Sequence, residues 1–169
     1  LGNIVVKYPS LNKNVTKILL DKYKKCLRGE NNQETYQLMQ RIISALSYYE
    51  EDGTILKLIQ ESKNQIDMYL LTLNANIRLS KVFSKVFGGN IGEDEKRKMI
   101  KGFVDGNNYN CILQILKDNK KESNRKIIFQ ELLYATKKAY FIGWFKNQDL
   151  SNYVNPHIKK KVNEWTVEY

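Results

Sequence analysis

Thr54-Ile-Leu-Lys-Leu-Ile-Gln-Glu-Ser-Lys63 returns 57 residues later as Cys111-Ile-Leu-Gln-Ile-Leu-Lys-Asp-Asn-Lys120. Each copy reads as a short apolar helix, because its hydrophobic residues recur on a helical rather than an alternating period. Each is followed by a spacer and a longer apolar stretch that ends in aromatics: Val82-Phe83 with Phe87 after the first, Tyr140-Phe141 with Phe145 after the second. Between the two halves lies Gly88-Gly89-Asn90-Ile91-Gly92, a run that no helix or strand interior tolerates, since glycine loses so much backbone freedom on ordering. Helices of moderate, short and long length are predicted in the same order on both sides of it. The pattern predicts an internal duplication, 32–87 and 93–146 around the turn at 88–92, with each unit burying its apolar face against the next.

Working outward, the period stays helical. Ser10 is placed to cap a first helix carrying Leu11, Val15, Ile18, Leu19 and Cys26 and closing near Gly29. Asn32 opens a second, with Met39, Ile42, Ile43, Leu46 and Tyr49 on one stripe. Glu50-Glu51-Asp52-Gly53 reads as a break before the short helix at Thr54–Gln60. A fourth helix is predicted from Ile66 to Phe87, its apolar arc too wide for a surface helix and hence central. Glu93-Asp94-Glu95 put negative charge at the start of the next helix, where it complements the macrodipole, and Met99, Ile100, Phe103 and Val104 form its buried stripe. Gly106-Asn107-Asn108 closes that helix. The echoed short helix covers 110–118, Asn124 caps a long one through Phe145, and Asn155-Pro156 opens a last one. Ile4–Tyr8 and Trp165–Tyr169 alternate on a strand period and are expected as short extended ends. The fold expected is all-α: a bundle or short stacked array of about seven or eight helices, two of them long and central, in a single domain over 1–169.

Composition bounds the partners. A chain of 169 residues with 42% apolar content buries a full core without metal or disulfide staples. Its first residue is Leu, which points to a piece of a longer protein. Of 28 basic residues 23 are Lys and 5 Arg, so the formal charge of +10 is carried by the cation less suited to bidentate recognition of bases and phosphates. Such a surface serves solubility first. Cys26 and Cys111 follow no C-x-x-C spacing, which argues against a zinc or redox motif; whether they pair depends on the compartment, and an intracellular location is expected. Ile127–Phe145 has the length of a membrane span, but Gln130, Glu131, Lys137 and Lys138 lie inside it, and central charges cost about 2.5–3.5 kcal/mol each. No span is expected.

Signatures of catalysis are missing. The one histidine, His157, follows Pro156 at a helix start and stands alone; H-E-x-x-H, G-x-S-x-G, P-loop and dinucleotide fingerprints do not occur. No catalytic residue, metal ligand or cofactor is assigned. Gly89-Asn90-Ile91-Gly92 has the G-x-x-G spacing of a KH domain, but helical flanks and the acidic triplet behind it make it an interhelical turn. Two surfaces remain. Tyr140, Trp144 and Phe145, with Phe141, cover more than one helical face, and an aromatic left over at a groove is a favoured protein-binding anchor. Lys117, Lys120, Lys121, Arg125 and Lys126 span the turn between two helices and concentrate charge at one edge, the pattern by which helical modules track phosphates. The function expected is a non-catalytic helical domain that binds another protein within a larger assembly; the alternative is a basic nucleic-acid-binding module.

Overall fold

The computed structural model describes residues 9–49 and 52–133, together with the isolated positions 156 and 160. Among the described residues there are eight α-helices and one 3-10 turn, and no strand: α1 Pro9–Leu27, α2 Gln33–Leu46, α3 Asp52–Glu61, α4 Met68–Leu73, the 3-10 turn Ile77–Leu79, α5 Ser80–Gly88, α6 Glu93–Asp105, α7 Tyr109–Asp118 and α8 Glu122–Leu133. The all-α expectation therefore holds. The predicted ends at 4–8 and 165–169 lie outside the described residues, as does the 134–145 part of the last long helix.

The helices stack in two rows. In one, α1 packs on α2, α2 on α4, α4 on α6 and α6 on α8; in the other, α3 packs on α5 and α5 on α7. The second row contains both copies of the echoed segment, with α5 between them. Ile55, Phe83 and Ile112 stand 28 and 29 residues apart, and so do Ile59, Phe87 and Leu116; all six are buried. One 57-residue echo is thus two steps along this row.

Phe83 and Phe103 join the rows, their rings edge to face at 5.6 Å and 77°, the geometry that sets a positive ring edge against a negative ring face. The closest approach in the first row is between α4 and α6. A Cβ on Gly102 would collide with the Thr72 hydroxyl and lie 2.5 Å from the Tyr69 carbonyl oxygen; one on Gly106 would lie 2.5 Å from that of Leu73. Glycine at both positions lets the two backbones touch. Helix α6 then ends in a Schellman turn: the N–H of Asn108 reaches Phe103 O at 2.7 Å and that of Asn107 reaches Val104 O at 3.0 Å, with Asn107 in the left-handed region at φ 57°.

Capping fixes the other boundaries. Asn32 accepts from Thr35 N at 2.9 Å as the α2 N-cap, as its sequence position requires. Asp67 accepts from Tyr69 N at 2.9 Å and starts α4, while Asn76 accepts from Arg78 N at 3.0 Å and starts the 3-10 turn. Asp67 marks the start of the single long helix expected over 66–87, and the Asn76 cap divides it into α4 on one side and the 3-10 turn and α5 on the other. The break is also held from outside, since Asn108 Nδ2 donates to Ala75 O at 2.5 Å. Further corrections are local. Ile18 is 54% exposed, and the buried face of α1 is centred on Tyr23 instead. Asp52 and Gly53 belong to the first turn of α3 rather than to a break, and α8 begins at Glu122 with Asn124 inside it. Both cysteines are free thiols, Cys111 fully buried and Cys26 partly. No helix among the described residues is long and apolar enough to cross a membrane.

Candidate functional site

Tyr140, Trp144 and Phe145, expected as partner anchors, lie outside the described residues, as does His157. The basic candidates are all placed, and they are not equivalent. Lys117 is exposed in the last turn of α7, Lys120 and Lys121 are exposed in the α7–α8 loop, and Lys126 is exposed on α8. Arg125 is committed to structure, its Nε donating to Asn119 O at 3.1 Å. Asn119 is the pivot of this corner: its Nδ2 reaches Ile115 O at 2.9 Å, and its side chain lies against Gly88, where a Cβ would come within 2.5 Å of Oδ1.

Lys96, which sequence spacing groups with Arg97, Lys98 and Lys101, joins the corner instead. Its Nζ donates to Asn124 Oδ1 at 2.9 Å and sits 5.5 Å from the centroid of the Phe87 ring. Burial pulls this ammonium below its ordinary range, and the neighbouring charge of Lys121 pulls the same way against Glu93. Two others of its sequence cluster are neutralised, Arg97 bridging Glu93 at 2.6 Å and Glu131 at 3.0 Å and Lys98 pairing with Glu95 at 3.4 Å, while Lys101 lies 5.9 Å from the centroid of the Tyr69 ring. Lys96 and Lys121 thus meet at this corner, with Lys117, Lys120 and Lys126 exposed on the elements around it.

A polar groove of about 560 Å³ lies where the loops leading into α4 and α6 meet, but its charges are occupied by the protein itself. Lys63 Nζ donates to Asn90 O at 2.8 Å, and Asp67 caps α4. Three or more His, Cys, Asp or Glu side chains able to hold a metal ion are not found together among the described residues.

A second groove, of about 430 Å³, differs in having unsatisfied groups. Gln40, Arg41, Ser44 and Tyr48 line it along α2 and just past its end, and Asn74 and Asn76 line it from the break before the 3-10 turn. It opens beside the end of α4, which is only six residues long and stops at Leu73. Gln40 is 4% exposed; its Nε2 donates to Leu71 O at 2.6 Å, while its Oε1 is buried with no donor. Turning the amide over would set two acceptors against each other, so this orientation is fixed by chemistry. At the rim the Arg78 guanidinium lies 3.6 Å from the centroid of the Tyr48 ring. Neither Arg41 nor Arg78 makes an ion pair with another described residue. Sequence periodicity misses this groove because it absorbs Leu73-Asn74-Ala75-Asn76 into one helix; an Asn on either side of one Ala, the second of them placed to cap, is the available signal. Comparison with known protein families, curated proteins and solved structures finds no match for the chain.

Proposed function

We propose that this chain is a non-catalytic helical scaffold that binds another protein within a larger assembly. The observation that supports it is the two-row stacking of helices at steps of 28 and 29 residues along the second row. Stacked helical units build extended surfaces with grooves between neighbours, and such surfaces serve recognition. The duplicated architecture is part of the same proposal. Free Cys26 and Cys111 are compatible with a reducing compartment, which supports an intracellular setting.

Convergence of Lys96 with Lys121 favours a second reading, a basic edge that tracks phosphates. Both are tested by exposing the full chain to a displayed library of random linear peptides and, in parallel, to fluorescein-labelled single-stranded and duplex oligonucleotides at low and physiological salt. The scaffold reading expects enriched peptides and oligonucleotide binding that vanishes at about 0.15 M salt. Oligonucleotide binding that persists there, and that neutralising Lys96, Lys120 and Lys121 abolishes, replaces it with the second reading.

A further inference from the structure

We propose that the groove between α2 and the Asn74–Asn76 break takes an extended, acidic segment of a partner protein, whose carboxylate is held by Arg41 and Arg78. This rests on the scaffold reading and names the partner's chemistry. Three features of the same face carry it.

The first is charge. Among the described residues no carboxylate lines the groove, and both exposed arginines make no ion pair. Elsewhere on the fold Arg97, Lys57 and Lys98 have carboxylates, and Arg125 has a carbonyl. Arginine presents a planar fork that suits a carboxylate, and stacking Arg78 on Tyr48 orders that fork in advance. The second is amide chemistry. Gln40 brings an acceptor without a donor, and on the opposite wall Asn74, whose Nδ2 is bonded to Leu70 O, adds its Oδ1 and Asn76, whose Oδ1 is bonded to Arg78 N, adds its Nδ2. A peptide backbone, alternating N–H and C=O, is the ligand that pairs with such a wall.

The third is apolar exposure. Leu38 and Tyr48 are 47% exposed and Ile77 53%, three of the four large hydrophobic side chains left most open among the described residues. Tyr48 lines the groove, Leu38 is one helical turn from Arg41 on α2, and Ile77 is next in the chain to the groove residue Asn76, so all three are exposed at or near this surface. An apolar side chain beside the partner's carboxylate would cover them. Nucleic acid fits less well: the groove offers two cations, and the Tyr48 face that a base would stack on is already covered by Arg78.

The test uses the peptides enriched by the full chain from the displayed library, resynthesised with a fluorescein label and titrated against wild type, Arg41→Glu, Arg78→Glu and the double variant. Both positions are exposed, and thermal melting by circular dichroism verifies that each variant is folded. The expected result is peptides rich in Asp or Glu next to an apolar residue, and affinity at least about tenfold weaker for the double variant. Affinity should recover when the peptide's acids are exchanged for lysines. Peptides that bind wild type and the double variant equally overturn the groove assignment and leave the scaffold reading standing. Enrichment of no peptide, with or without oligonucleotide binding, overturns both.

Discussion

Replacing Gly102 by Ala would test the packing that closes the first row. The added Cβ meets the Thr72 hydroxyl and lies 2.5 Å from Tyr69 O and 3.0 Å from Leu73 N, where ordinary contact begins at 3.4 Å. The threonine cannot simply rotate away, because its hydroxyl is bonded to Met68 O at 2.7 Å and Tyr69 O at 3.2 Å, and the other two obstacles are backbone. Helix α4 must therefore retreat from α6 by about 0.9 Å to clear the Tyr69 carbonyl, the difference between 3.4 and 2.5 Å, and by more to clear the threonine hydroxyl. A gap of that size forfeits roughly a quarter to a half of each dispersion contact across the interface, and overpacking of this kind costs about 1–3 kcal/mol. With rigid backbone as the obstacle the upper end applies, about 3 kcal/mol, less about 1 kcal/mol because Ala favours helix over Gly. The net loss expected is about 2 kcal/mol, or roughly 4–8 °C in Tm for a domain of this size. Gly53, in the first turn of α3 with nothing within 4 Å of where a Cβ would stand, is the control: Gly53→Ala should gain about 0.4–1 kcal/mol. Both are read by urea denaturation followed by circular dichroism. A Gly102→Ala protein as stable as wild type would refute the close approach of α4 and α6.

Other expectations follow from buried polar and titratable groups. Tyr23→Phe removes the 2.8 Å bond to Ser62 Oγ that ties α1 to the end of α3, and should lower stability by about 1 kcal/mol in the same denaturation assay. Burial pushes the Cys111 thiol up to about 12 and raises that of Cys26 less, so a thiol reagent at pH 8 should label Cys26 while the protein is native and Cys111 only in urea; fast native labelling of Cys111 would contradict its place in the core. The same burial makes the fold sensitive to alkali. Cys111, raised from 9.0 to about 12, and Tyr23, raised from 10.0 to about 12, keep their protons in the folded state when the unfolded chain has lost them. Their contributions, about 4 and 3 kcal/mol at 1.36 kcal/mol per pKa unit, are present below pH 9 and are lost as pH rises from 9 toward 12. The urea midpoint should fall across that window, and Cys111→Ala should flatten the decline.

Much of this architecture is legible in the sequence because local signals agree with tertiary demand. Asn32 caps α2 by the rule that predicts it, the glycine run ends α5, and Met99, Ile100, Phe103 and Val104 bury the face of α6 that their spacing marks. The long helix over 66–87 fails for a physical reason. A continuous apolar arc is produced equally by one buried helix and by two short helices that belong to different rows, and periodicity alone does not separate them. What separates them is the Asn76 cap, together with Asn108 reaching across from α6 to Ala75 O. The groove is hidden for the same reason. Arg41 and Arg78 are isolated cations 37 residues apart, and only the break between α4 and α5 sets them on one face. By contrast the Lys117–Lys126 cluster is obvious in sequence, yet folding commits Arg125 to a carbonyl and draws in Lys96 from another helix.

The echo itself shows how a repeated position escapes notice when its neighbours differ. Residues 55 and 59 in α3, and 112 and 116 in α7, are Ile or Leu, and each of these helices has one partner in its row. The equivalent positions in α5 are Phe83 and Phe87, and α5 lies between both partners and faces Phe103 of α6 as well. A helix flanked on both sides has more interior to fill, and two phenyl rings fill it where branched aliphatics suffice at the ends. The polar position that follows behaves alike: Ser62 and Asn119 are buried and each is hydrogen-bonded within its own corner, while Asn90 between them is exposed and offers its carbonyl to Lys63. The two outer helices, each with one partner in this row, thus carry similar letters, and the central one, packed on both sides, carries different ones. The step to search for in such a chain is half the spacing at which the letters visibly return.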